Sequence, residues 1–107
     1  MSYKKGDILL VKFPFTDFSN YKKRPILVVK DENDLGDIVC FQITSNKYQS
    51  KIIEINDDLL SKKLKIVSFV KYDKCFTINS SVIEKKFSTV NQSFLEKIKE
   101  YFCSELF

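Results

Sequence analysis

The chain has 107 residues, 44% of them apolar and 14% aromatic, enough for one domain with a single modest core and too apolar for a disordered chain. Its 18 basic and 14 acidic residues leave a net charge of +4, a moderate excess that favours an anionic partner and that solvated lysines explain equally well. Histidine is absent and the three cysteines, Cys40, Cys75 and Cys103, are odd in number and widely spaced, so neither a disulfide framework nor a zinc site is indicated.

Residues 1–7 lead into only a short apolar run, with no signal-peptide core and nothing approaching a membrane span, which predicts a cytoplasmic protein. Residues 8–13 form a compact apolar run that ends at Pro14 and has strand length. Residues 15–23 mix Thr16, Asp17, Ser19 and Asn20 with aromatic rings and lysines, without periodicity, and read as a long decorated loop. The β-branched run 25–29 predicts a second strand with proline at its first position, where a missing amide hydrogen does least harm.

Turn residues at 31–36 precede a third strand over 37–44, which runs out into a polar loop at 45–50. A fourth strand is predicted at 51–55 and a fifth at 64–72, apolar on both faces, a pattern that fits a barrel wall or an interface. A short stretch at 75–78 is expected to pair with 83–87 across residues 79–81. Only the C-terminus reads as a helix, with Leu95, Ile98, Phe102 and Leu106 at helical spacing. Asn91 is its N-cap, Val90 with Leu95 a hydrophobic staple, and Ser93 with Glu96 a competing capping box. The class expected is mainly β with a C-terminal helix, a small barrel or strongly curved sheet.

The chemistry is narrowed by what is missing. Without histidine there is no Ser/His or Cys/His pair, and no Gly-rich phosphate loop or spaced metal-ligand cluster is present. RNA carries its own nucleophile, the 2′-hydroxyl, so a protein can cleave it by positioning the phosphate, neutralising charge and moving protons. Three segments suit that work: Lys22-Lys23-Arg24, with the only arginine of the chain; Gln42-Ile43-Thr44-Ser45 at a strand end; and Lys71-Tyr72-Asp73-Lys74. A guanidinium holds two phosphate oxygens at once, which a lysine does not. Each segment also has a bland reading: a surface arginine, turn hydroxyls, and a solvated Lys71–Asp73 ion pair.

In order and wording these segments resemble the MazF/PemK family of toxins from bacterial toxin–antitoxin pairs, over nearly the whole chain. The resemblance is carried by residues 5–11, by Phe13-Pro14-Phe15-Thr16-Asp17 with residues 22–29, by Gln42-Ile43-Thr44-Ser45, and by Val70-Lys71-Tyr72-Asp73-Lys74 with residues 76–79. It implies an SH3-like barrel, a single toxin domain over 1–107, a homodimer, and metal-independent, cofactor-free cleavage of single-stranded RNA at short preferred sequences. The partner implied is a cognate antitoxin with an acidic tail, DNA being reached only through it.

The family's catalytic arginine falls on Arg24 and its hydroxyl on Thr44, with Ser45 adjacent, while Lys71 and Asp73 stand where some relatives use an arginine and an aspartate. The arginine-to-lysine change at 71, and the missing loop glycine and histidine of some relatives, are departures from the pattern. The reaction implied is attack of the 2′-hydroxyl to give a 2′,3′-cyclic phosphate and a 5′-hydroxyl, with the base open between Asp73, Arg24, a hydroxyl and water. Phe15, Phe18, Tyr21 and Tyr48 are candidates to stack bases, Lys22 and Lys23 to hold the backbone, and Thr16, Gln42 and Asn46 to complete the RNA contacts. The same rings serve equally well as core or interface fillers. Two readings from other classes compete: a non-enzymatic toxin of this fold that binds DNA gyrase, and a non-toxic binding module.

Overall fold

The computed structural model describes residues 3–14, 21–56 and 67–106. Six strands are described, β1 (Asp7–Pro14), β2 (Tyr21–Lys30), β3 (Asp37–Thr44), β4 (Ile52–Ile55), β5 (Ser68–Asn79) and β6 (Ile83–Thr89), followed by one helix, α1 (Gln92–Leu106). They form one antiparallel sheet in the order β4-β5-β3-β2-β1-β6. Among the described residues the two ends of that order are not paired with each other, so the small barrel or strongly curved sheet expected from the sequence takes the form of an open, curved sheet.

Strand alternation sends side chains to two cores. Ile8, Leu27, Phe41, Ile43 and Val70 pack with Phe94 and Ile98 of α1 on one face. Leu9, Val11, Ile26, Val28, Ile38 and Cys40 pack with Phe76, Ile78, Val82 and Ile83 on the other. Among the described residues one α-helix covers one face, and the second core exists because the sheet curls over itself, which is why the central strands are apolar on both sides. The Cys40 thiol is enclosed there and donates to the Phe76 carbonyl at 3.5 Å. Burial, with a smaller contribution from Cys75, pushes its pKa up to about 12.

The helix begins as its sequence signals require. The Asn91 side-chain oxygen accepts from the Phe94 amide at 3.0 Å, while the staple residues Val90 and Leu95 both join the helix-side core. Ser93 donates to Asn91 instead of forming the competing box, and Glu96 pairs with Gln92. Phe94 is fully buried, so Phe94→Ala is expected to cost about 3–5 kcal/mol. Gly6 stands at φ +96°, and a Cβ there would meet the Val90 carbonyl at 3.2 Å and Leu95 at 3.4 Å. The Gly6-Asp7 opening is therefore a hinge between sheet and helix, its amide and carbonyl bonded to the Val28 carbonyl and the Val90 amide.

Three expectations are corrected. Residues 21–23 belong to β2, not to the preceding loop, because their backbone continues the ladder with β1 at Pro14↔Tyr21, Phe13↔Lys22 and Lys12↔Lys23. Pro25 consequently lies inside the strand, tolerated because β3 pairs with β2 only from Ile26 onward, leaving an edge on that side at Pro25. The expected strands at 64–72 and 75–78 are one strand, β5, with a register break: Cys75 pairs with Phe41 and Lys71 with Gln42, so residues 72–74 are extra. Residues 64–66 lie outside the described residues. Finally, 75–78 does not pair with 83–87. That part of β5 is already bonded to β3, and a 3-10 turn at Ser80–Val82 carries the chain across to the free edge of β1.

Candidate active site

Arg24, Gln42, Thr44 and Lys71 come from three strands yet share one sheet face. On β2, Arg24 has the parity of Ile26 and Val28, and on β3, Gln42 and Thr44 have that of Ile38 and Cys40, all of the second core. The β2–β3 ladder ends at the pair Ile26–Gln42, and Arg24 and Thr44 each lie two residues beyond that pair on their own strands. On the far side of β3, Gln42 pairs with Lys71. The three segments separated in sequence thus meet at one end of the sheet. Arg24 is half-buried and engaged with neighbouring groups.

Lys71 is buried, and its ammonium donates to the Ser50 carbonyl at 3.0 Å and lies 3.1 Å from Asp73 Oδ1. Its side chain is 11% exposed and that of Asp73 30%. The bulge explains this placement: the extra residues let Asp73 stand two positions on from Lys71, on its side of the strand, while Tyr72 turns toward α1 and packs on Tyr101 at 5.4 Å. The ion pair foreseen as the bland reading is present, but its Lys71 member is buried and also bonds the β3–β4 loop at the Ser50 carbonyl.

That loop is ordered by its own side chains. The Thr44 hydroxyl oxygen accepts from the Asn46 amide at 3.1 Å and from Gln49 Nε2 at 3.3 Å, and Asn46 Oδ1 accepts from the Tyr48 amide at 3.0 Å. Asn46 therefore spends its carbonyl oxygen on the turn. Ser45 is exposed, and Tyr48 is exposed with the Lys47 ammonium 5.3 Å from its ring centre. Lys51 closes the loop at φ 60° and bonds Glu105 of α1 at 2.9 Å.

Of the remaining candidates, Phe15, Thr16 and Phe18 lie outside the described residues. Tyr21, Lys22 and Lys23 are placed by backbone on the β2 segment that leads into Arg24. Gln49 and Ser50 are the residues that sequence reasoning passed over. The turn signal was there, in the hydroxyl and amide at positions 44 and 46, but nothing local pointed to a Gln49 contact.

A cavity of about 310 Å³ lies elsewhere, between α1 and the sheet, lined by Val39, Phe41, Cys75, Leu95 and Phe102 among others. Its lining belongs to the helix-side face, opposite to Arg24 and Thr44, so the cavity is not part of the polar cluster. Among the described residues no group of three or more His, Cys, Asp or Glu could hold a metal ion, and no helix is long and apolar enough to cross a membrane.

Comparison with known proteins agrees with this architecture. The chain is similar to MazE-MazF (Form-II) from Deinococcus radiodurans at 16% identity, covering 97% of this chain and 95% of that chain with a TM-score of 0.80. It is similar at 14% identity to an endoribonuclease in complex with its cognate antitoxin from a mycobacterial species, covering 97% and 94% with a TM-score of 0.72. It is also similar to the Mycobacterium tuberculosis toxin MazF-mt6 at 18% identity, covering 92% and 93% with a TM-score of 0.70. No curated protein matches. The model of the PemK-like, MazF-like toxins matches residues 4–106, and the chain belongs to that family of type II toxin–antitoxin toxins.

Proposed function

We propose that this toxin is a metal-independent endoribonuclease acting on single-stranded messenger RNA. The observation that carries this reading is that Arg24 and Thr44 each lie two residues past the Ile26–Gln42 pair with the same strand parity, and that Gln42 pairs with Lys71 on the next strand. Arg24 offers a planar fork to the phosphate and the Thr44 hydroxyl a second donor, so both stabilise the charge that builds when the ribose 2′-hydroxyl attacks. Asp73 takes the proton of that hydroxyl, the bond to the 5′-oxygen breaks, and that oxygen takes a proton from water, leaving a 2′,3′-cyclic phosphate and a 5′-hydroxyl. Lys71, occupied by Ser50 and Asp73, holds the carboxylate and the loop in place.

Lys22 and Lys23, on the β2 segment that leads into Arg24, are assigned to the RNA backbone and the exposed Tyr48 to a base, with Gln42, Ser45 and Asn46 as further contacts. The toxin works as a homodimer in the cytoplasm and is neutralised by an antitoxin whose acidic tail competes for these cations. The likeness to a MazE-MazF structure supports that partner. Induced expression should arrest growth, and purified protein should cut labelled single-stranded RNA in EDTA, with binding that weakens as salt rises. Strict dependence on added magnesium or manganese overturns the mechanism. Arrest without cleavage favours a protein-binding toxin such as one directed at gyrase, and neither effect favours a non-toxic module.

A further inference from the structure

We propose that Gln49 is a positioning residue for this reaction: its side-chain amide holds the Thr44 hydroxyl so that it can only donate toward the phosphate. The proposal rests on the ribonuclease reading and deepens it. A threonine hydroxyl has one hydrogen to give and two lone pairs to receive. One lone pair is met by the Asn46 amide at 3.1 Å, a backbone group that can only donate, and the other by Gln49 Nε2 at 3.3 Å. With both acceptor positions taken by donors, the hydroxyl hydrogen finds no acceptor in these two groups and is left to donate to a phosphate on the face Thr44 shares with Arg24. A donor aimed before substrate arrives needs no reorientation as charge develops, which is the condition under which such donors are worth most.

The loop is built to keep Gln49 there. The Asn46–Tyr48 turn folds the chain back toward Thr44, and one residue beyond Gln49 the Ser50 carbonyl is gripped by the buried Lys71 ammonium at 3.0 Å. Gln49 is half-buried among exposed neighbours, as expected for a side chain turned inward to an internal partner.

The test is single-turnover cleavage of a labelled single-stranded RNA by the wild type, Gln49→Glu, Gln49→Leu, and Gln49→Glu in a Thr44→Val background. An ionised carboxylate only accepts, so Gln49→Glu captures the Thr44 hydrogen and cleavage at saturating protein should fall about a hundredfold at pH 7.5. Protonation restores a donor, so its rate relative to wild type should recover about tenfold as pH falls from 7.5 to 5. Gln49→Leu should lose roughly tenfold with no such recovery, and in the Thr44→Val background Gln49→Glu should cost nothing further. The proposal is overturned if Gln49→Glu or Gln49→Leu cleaves within about threefold of wild type, or if the loss is equal at both pH values and persists without Thr44. Wild-type protein that cleaves no RNA overturns the ribonuclease reading and this proposal with it, so the two failures are told apart by the wild-type arm.

Discussion

Replacing Asp73 by asparagine removes a base while keeping shape and an oxygen that can still accept from Lys71, 3.1 Å away. If the carboxylate takes the 2′-hydroxyl proton, its loss should slow single-turnover cleavage at least about a hundredfold, close to 2.7 kcal/mol in barrier. RNA affinity should hold or rise, since a negative charge leaves the binding surface. The structural cost is separable. Lys71 keeps its bond to the Ser50 carbonyl, and the Asp73 side chain is 30% exposed, so exchanging a charged acceptor for a neutral one should cost only about 1 kcal/mol of stability. In a domain of this size that lowers Tm by roughly 4–6 °C. The assay pairs cleavage under saturating protein with a thermal melt and an RNA-binding titration. Cleavage within about threefold of wild type, under 1 kcal/mol in barrier, together with the small drop in Tm, would show that Asp73 is a strut for Lys71 and that the proton goes elsewhere.

Arg24→Lys should leave the melt unchanged within a few degrees and reduce cleavage roughly a hundredfold, because the charge survives and the fork does not; near wild-type cleavage would remove Arg24 from the mechanism. Asn91→Ala, which deletes the oxygen that accepts from the Phe94 amide, should destabilise the fold by about 1 kcal/mol in a denaturant titration, and an unchanged midpoint would refute the cap. Cys40 has its pKa raised from 9.0 to about 12 by burial, so the native state holds a proton that the unfolded chain releases. Its contribution is therefore complete below about pH 9 and lost as pH rises toward about 12, by up to about 1.4 kcal/mol per unit. The stability gap between wild type and Cys40→Ala should shrink between pH 8 and pH 10.5, and a constant gap would contradict the burial of the thiol.

Local signals settle the parts of this fold whose information is local. The helix was legible because its spacing, its Asn91 cap and its Val90–Leu95 staple all lie within a few turns of one another, and no distant contact is needed to read them. The strands at 8–13 and 37–44 were legible for the same reason, and so were the word-like blocks around Arg24, Thr44 and Asp73 that tie the chain to its family. Pairing is a different matter. Nothing near residues 21–23 announces that they will meet residues 12–14, and polar residues with an aromatic ring look like a loop until that partner is present. The single β5, its extra residues 72–74, and the choice of β1 as the partner of β6 are decided by which backbone edges remain unpaired once the sheet has assembled. The candidate site depends on both levels. Residue type marked Arg24, Thr44 and Asp73, but only the tertiary structure puts Arg24 and Thr44 on one face, pairs Gln42 with Lys71, buries Lys71 beneath the loop, and brings Gln49 back onto the hydroxyl of Thr44.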